Sequence, residues 1–249
     1  MLNPHLEDWI IHANSLGMAT SIVSNGTGMS EGWLSGMKPY LDWIGLSIDA
    51  SSDEIHAAMG RSTKREARLG GSGHLARCLE VWKNASKLGY GLKLNTVVTS
   101  ANLDDDMTAL VSELKPDRWK IFRVLLIEGE NDGRVEPLMI SGREFTEYVE
   151  RHRTKLGGLD EIQIVAEDNH DMLGTYAMID PQGLAYTNMG ERYRYSTSSV
   201  AVVGFAEAWA EVSKGFSESG FVGRGGIWEW NKDPLGGFGL PILGGGSHD

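Results

Sequence analysis

Gly91-Leu-Lys-Leu-Asn-Thr-Val-Val98 decides the fold. The stretch is rich in β-forming residues and nearly continuous in apolar character, as a strand is when both of its faces are covered. His74 to Leu88 before it carries a helical pattern. Asp104 to Leu114 after it does the same, with acidic residues in the first turn, where a helix dipole favours them. Trp119 to Ile127 is a further strand-like run. Towards the N-terminus, Trp43 to Ile48, ended by Asp49, and Met18 to Val23, ended by Ser24-Asn25-Gly26, read as two earlier strands. Ser30 to Met37 is a short helix between them, and residues 4–16 form another in front. A polar stretch with Arg61, Lys64, Arg65 and Arg68 reads as a loop that closes in Gly70-Gly-Ser-Gly73. Strands alternating with helices imply a parallel sheet with right-handed crossovers. The pattern predicts four βα units, without an internal sequence repeat.

Past residue 128 the pattern changes. A helix is expected from Gly142 to Leu156, a loop to Asn169, a hairpin-like pair around Asp180-Pro-Gln-Gly183, and a helix from Val203 to Lys214. The Gly-rich tail, 236–249, is expected to be mobile. The chain thus divides into an α/β core, 1–127, and a C-terminal extension, 128–249.

The 249 residues are 41% hydrophobic and 23% charged, the composition of a soluble globular chain. The formal net charge of −11 argues against a general nucleic-acid surface. It leaves room for an anionic ligand wherever a few Lys and Arg converge. There is no apolar run long enough to span a bilayer, and Met1-Leu-Asn-Pro-His-Leu-Glu-Asp8 has no basic region followed by an apolar core. A cytoplasmic location is expected. The single cysteine, Cys78, excludes an intramolecular disulfide framework and a cysteine-ligated zinc or iron–sulfur site built from this chain alone. The seven histidines show no HxxxH or HxH spacing, so no metal site is assigned.

Several residues are placed where chemistry is done. Ser24 and Asn25 stand at the C-terminal end of a strand, the edge where parallel α/β folds bind ligands; Asn-Gly is also a common turn pair. Lys93 and Asn95 lie two apart and share one strand face. A lysine there needs an anionic partner if the strand is buried, and is simply solvated if the strand is at an edge. Arg118 and Lys120 follow the same spacing, with Trp119 packed on the opposite face. Two cations beside Lys93 suit a triphosphate through charge-assisted hydrogen bonds; exposure at a strand start is the commoner fate. Arg61 and the Gly70–Gly73 loop form a second possible anion site. Glu128 and Glu130 flank Gly129 and read as structural or ribose-binding rather than as an acid–base pair. Tyr176 sits in an apolar run, where a satisfied core tyrosine is usual. Arg224 and Lys232 bracket an aromatic stretch that on its own reads as an edge strand.

Taken together, Ser24-Asn25-Gly26, Lys93-Leu-Asn95, Arg118-Trp-Lys120, Ile127-Glu-Gly-Glu-Asn131, Asn169-x-x-Met172-x-x-x-Tyr176 and Arg224-Gly-Gly-Ile-Trp-Glu-Trp-Asn-Lys232 resemble the viperin-like radical-SAM nucleotide dehydratases. The resemblance runs from about Thr20 to Lys232. It implies the last four units of a partial (βα)6 barrel plus that family's C-terminal extension. It also implies S-adenosyl-L-methionine and a 4Fe–4S cluster as cofactors, and conversion of CTP to 3′-deoxy-3′,4′-didehydro-CTP in antiviral defence. By resemblance, Ser24, Asn25 and Arg61 contact SAM. Lys93, Asn95, Arg118, Lys120, Arg224 and Lys232 contact the nucleotide. Tyr176 lies by the nucleotide as a hydrogen donor. The family's CxxxCxxC loop has no counterpart in this sequence. The chain therefore reads either as an N-terminally truncated piece of such an enzyme or as a relative that binds nucleotide without catalysis. Its last residues, Gly-Ser-His-Asp, differ from the family's aromatic tail, so no iron–sulfur-loading partner is assigned.

Overall fold

Alternation along each strand sorts the residues onto two faces, and that sorting builds the fold. The computed structural model describes residues 3–69, 72–159, 161–190 and 192–227. Helix α1 (Leu6–Ser15) is followed by β1 (Ser21–Ser24), α2 (Glu31–Met37), β2 (Trp43–Ser47), α3 (Asp53–Ala58), α4 (Lys64–Arg68), α5 (His74–Lys87), β3 (Gly91–Val98), α6 (Thr108–Leu114), β4 (Arg118–Arg123), α7 (Gly142–Leu156) and β5 (Gln163–Glu167). These strands form one parallel sheet in the order β1-β2-β3-β4-β5. The fold is the α/β fold expected, with one strand more than the four read from sequence. Gln163–Glu167, expected as loop, pairs with β4 from Arg118↔Gln163 to Phe122↔Glu167.

One face of this sheet is apolar. Ile44 and Leu46 of β2, Leu92, Leu94 and Val98 of β3, and Trp119 and Ile121 of β4 pack against Leu34, Val81, Trp82, Val111, Phe145 and Tyr148 from α2, α5, α6 and α7. Each such side chain contributes about 1.5–3 kcal/mol when fully buried. The indole of Trp43 lies directly over Gly91, filling the space where a Cβ would stand.

Strand β4 ends at Arg123 rather than Ile127 and β1 starts at Ser21 rather than Met18; three further boundaries differ from expectation for a local reason. The polar stretch after β2 holds two helices: the Ser52 hydroxyl caps α3 by accepting the Ile55 N–H, and Thr63 and Glu66 cap α4 reciprocally. Helix α6 starts at Thr108 rather than Asp104, because Asp105 accepts from Ser51 and Asp106 accepts from Thr108 and Lys155. The helix expected over Val203–Lys214 breaks at Gly204, whose φ of +83° separates α9 (Val200–Val203) from α10 (Phe205–Val212).

After β5 come α8 (Asn169–Met172) and an antiparallel sheet, β6 (Met178–Ile179), β7 (Leu184–Asn188) and β8 (Tyr193–Ser199), which carries the expected hairpin at 180–183. Helix α11 (Glu218–Gly223) leads into the turn at Arg224–Gly226. The Gly-rich tail lies outside the described residues. Among the described residues, no helix is long and apolar enough to cross a membrane.

Candidate functional site

The sheet's other face is polar. Strand register sets Gly45, Lys93 and Arg118 in one row and Ser47, Asn95 and Lys120 in the next, all directed away from the helices. Glu167 is level with Phe122 in the row above. Among the strand residues of this face it is the one carboxylate.

Lys93 is 6% exposed. Its Nζ donates to Ser21 Oγ at 3.0 Å and lies 5.6 Å from the centre of the Trp43 ring. Burial, reinforced by the charges of Arg118 and Lys120, brings its pKa down to about 7. Arg118 is buried and donates to the Gly225 carbonyl at 2.5 Å. Lys120 pairs with Glu167 Oε1. Burial lowers the Lys120 pKa, and the Glu167 carboxylate opposes that shift.

Glu167 is fully buried. Its Oε1 lies 3.4 Å from Arg224 Nη1, and its Oε2 accepts the Tyr176 hydroxyl at 2.5 Å. The Arg224 guanidinium stacks 3.8 Å from the centre of the Tyr176 ring and donates to the Thr175 carbonyl at 2.8 Å. Burial first, then Glu167, raises the Tyr176 pKa, so the phenol stays protonated at neutral pH.

The structure therefore brings together Lys93, Arg118, Lys120, Arg224 and Tyr176 from among the residues expected to form the site. Asn95 shares the row of Lys120, with its Oδ1 buried and without a hydrogen-bond partner among the described residues. Lys232 lies outside the described residues. Glu167 was absent from the sequence reading. The available signal was the short β-branched run Gln163-Ile-Val-Ala-Glu167, ended by the cap residue Asp168.

The expected SAM contacts sit elsewhere along the C-terminal edge of the sheet. Ser24 shares the helix-facing side with Leu46 and accepts the Gly26 N–H at 3.1 Å. Asn25 is exposed and accepts the Thr27 N–H at 3.0 Å. Arg61 pairs at 2.5 Å with Asp49, two residues past the end of β2, which also accepts the Val97 N–H. Gly70 and Gly71 lie outside the described residues; the Ser72 hydroxyl donates to the Arg61 carbonyl. Glu128 pairs with Arg192, and Glu130 accepts from Tyr195 at 3.1 Å. Both carboxylates tie the 127–131 turn to the antiparallel sheet, the structural role of the two read from sequence.

Cys78 is buried in the core, its thiol 3.4 Å from the Asn25 carbonyl and its pKa pushed up to about 12 by burial. Among the described residues no three His, Cys, Asp or Glu side chains are grouped to hold a metal ion.

No family model matches the chain. It is 39% identical to the S-adenosylmethionine-dependent nucleotide dehydratase of Flammeovirga pacifica, over 92% of this chain and 74% of that one. It is 31% identical to the protein of the same name from a Thermoplasmatales archaeon, over 92% and 76%. The RSAD2 nucleotide dehydratase of Danio rerio is 33% identical over 86% of this chain and 57% of that one. Among solved structures, anSMEcpe with bound AdoMet and Kp18Cys peptide superposes with a TM-score of 0.59 at 15% identity, over 82% of this chain and 60% of that one. Streptococcus suis SuiB bound to S-adenosylmethionine gives 0.53 at 14% identity, over 72% and 44%. At such identities the likeness is of fold, and that fold is the one of radical-SAM enzymes.

Proposed function

This chain belongs to the family of S-adenosylmethionine-dependent nucleotide dehydratases, and from that premise we propose that the polar sheet face is its nucleotide site, with CTP as the ligand. The observation that carries this reading is the meeting of Lys93, Arg118, Lys120 and Arg224 in a chain of net charge −11. Buried cations need compensation, and an anionic ligand is one way to add to it. With Glu167 the one carboxylate among the described strand residues of this face, beside four cations, the face suits a ligand with several negative charges. Asn95 offers both donor and acceptor groups to a sugar hydroxyl or a base edge. Tyr176, stacked under Arg224, closes one wall.

The whole-enzyme reaction we assign is dehydration of CTP to 3′-deoxy-3′,4′-didehydro-CTP, an antiviral chain terminator, in the cytoplasm. SAM, when bound and reduced, supplies the 5′-deoxyadenosyl radical for such chemistry. Arg61, between α3 and α4, and Asn25, in the turn after β1, are the residues of this chain suited to its polar groups, with Ser24 shaping the turn between strand and ligand. The residues present do not fit a 4Fe–4S cluster. Three thiolates are needed, and the one cysteine is a core thiol held protonated. A second reading, in which the chain binds nucleotide without turning it over, needs the same site.

Calorimetric titration with CTP and CMP tests the shared core of both readings. The triphosphate is expected to bind more tightly. Arg118→Ala and Lys120→Ala should each weaken CTP binding at least about tenfold, since a charge-assisted contact is worth roughly 1.5–3 kcal/mol and a decade about 1.4. Lys83→Ala, on the exposed side of α5, is the control. Equal affinity for the two nucleotides, or equal losses in site and control variants, would remove the triphosphate site.

A further inference from the structure

We propose that Glu167 is the resident counter-ion of this site: a carboxylate of the chain itself that occupies the cations until a polyphosphate arrives, and so sets how much charge a ligand must carry. The inference rests on the reading of the polar face as an anion site. Glu167 has no exposed surface. Its partners come from remote parts of the chain: Lys120 from β4, Tyr176 from the segment after α8, and Arg224 from the turn after α11. Two cations share Oε1 while a hydroxyl donates to Oε2. A phosphoryl group would recruit donors of the same kind, and charge-assisted bonds of this sort are the strong ones.

The same carboxylate organises the residues around it. Arg224 is held by Glu167 and by the Thr175 carbonyl, and the neighbouring Gly225 carbonyl is held by Arg118. The Arg224–Gly226 turn is thereby pinned to the polar face by an acid that a stronger anion must compete with or neutralise. A residue that merely braces the fold and a resident counter-ion make opposite predictions. Removing a brace lowers stability and affinity together. Removing a counter-ion lowers the stability of the empty protein, because buried cations lose their compensation, yet strengthens anion binding, because the ligand no longer competes with it.

Glu167→Gln keeps the side chain's shape and removes its charge. Thermal unfolding of the unliganded chain is measured beside calorimetric titration with inorganic tripolyphosphate and with CTP at low ionic strength. The expected result is a lower midpoint without ligand and at least a tenfold gain in tripolyphosphate affinity. Weaker binding in the variant, unchanged binding, or no tripolyphosphate binding to either protein overturns the proposal. Should Glu167→Gln not fold, Glu167→Asp draws the carboxylate back by one methylene while keeping the charge. It should still bind tripolyphosphate several-fold more tightly than wild type, and unchanged or weaker binding overturns the proposal. Tripolyphosphate binding that Glu167→Gln strengthens, without CTP binding, supports the counter-ion and ends the nucleotide reading. CTP binding that Glu167→Gln weakens does the reverse.

Discussion

Lys93 makes the ligand's affinity depend on pH, and the size of that dependence follows from its surroundings. The residue is 6% exposed, in register with Arg118 and one row below Lys120. Its pKa falls from 10.5 to about 7. Between those values the unfolded chain carries the Lys93 proton and the folded chain does not. Unfolding free energy from this group therefore rises with pH by about 1.4 kcal/mol per unit, roughly 4–5 kcal/mol across the whole window, and the full penalty stands below pH 7. An anionic ligand reverses the balance by restoring the charged form. At pH 8 binding should take up about nine-tenths of a proton, and at pH 6 about one-tenth. Above pH 7, Kd should weaken by about tenfold per unit. Titration of CTP at pH 8 in buffers of differing ionisation enthalpy reads the proton directly, since the terminal phosphate is already ionised there. Lys93→Met should abolish the uptake, weaken binding and stabilise the empty protein. A binding enthalpy independent of buffer at pH 8, or the same dependence in Lys93→Met, would refute the reasoning.

Other substitutions test the frame around the site. Gly91→Ala drives a methyl into the Trp43 indole and should cost about 1–3 kcal/mol in denaturant unfolding, as overpacking does. The thiol of Cys78, raised to about 12 by burial, should resist alkylation at pH 8 in the folded chain and react after unfolding. Reconstitution with iron and sulfide should leave no cluster absorbance. Strand β1 pairs only with β2 among the described residues, and Val23 on it is 57% exposed. Sedimentation should show association that grows with concentration and that Val23→Lys suppresses.

The elements read correctly from sequence are those whose local pattern and tertiary role agree. The Gly91–Val98 strand and the Gly142–Leu156 helix have the expected bounds. The helix owes its start to the Ser141–Glu144 capping box, a signal written in four adjacent positions. The cations of Lys93-x-Asn95 and Arg118-x-Lys120 were legible because strand alternation alone puts each pair on one face. Thr63-Lys-Arg-Glu66 carried a readable capping box too, but the surrounding charges masked it as loop. Strand β5 was not legible. It is five residues long, pairs with β4, and its burial deepens only at Glu167.

Glu167 shows why the last step from fold to site escapes a local reading. A glutamate at a strand end, followed by Asp168 and Asn169, has the signature of a solvated turn. It is buried instead because Lys120 and Arg224, 47 and 57 positions away along the chain, converge on it. The charge that selects a ligand here is a property of the assembled face. The chain as a whole is acidic, with a formal charge of −11. Its strand rows nonetheless stack three cations on two neighbouring strands, and the turn after α11 adds a fourth. Such a face needs compensation without ligand, and among the described residues Glu167 on the fifth strand supplies it to Lys120 and Arg224.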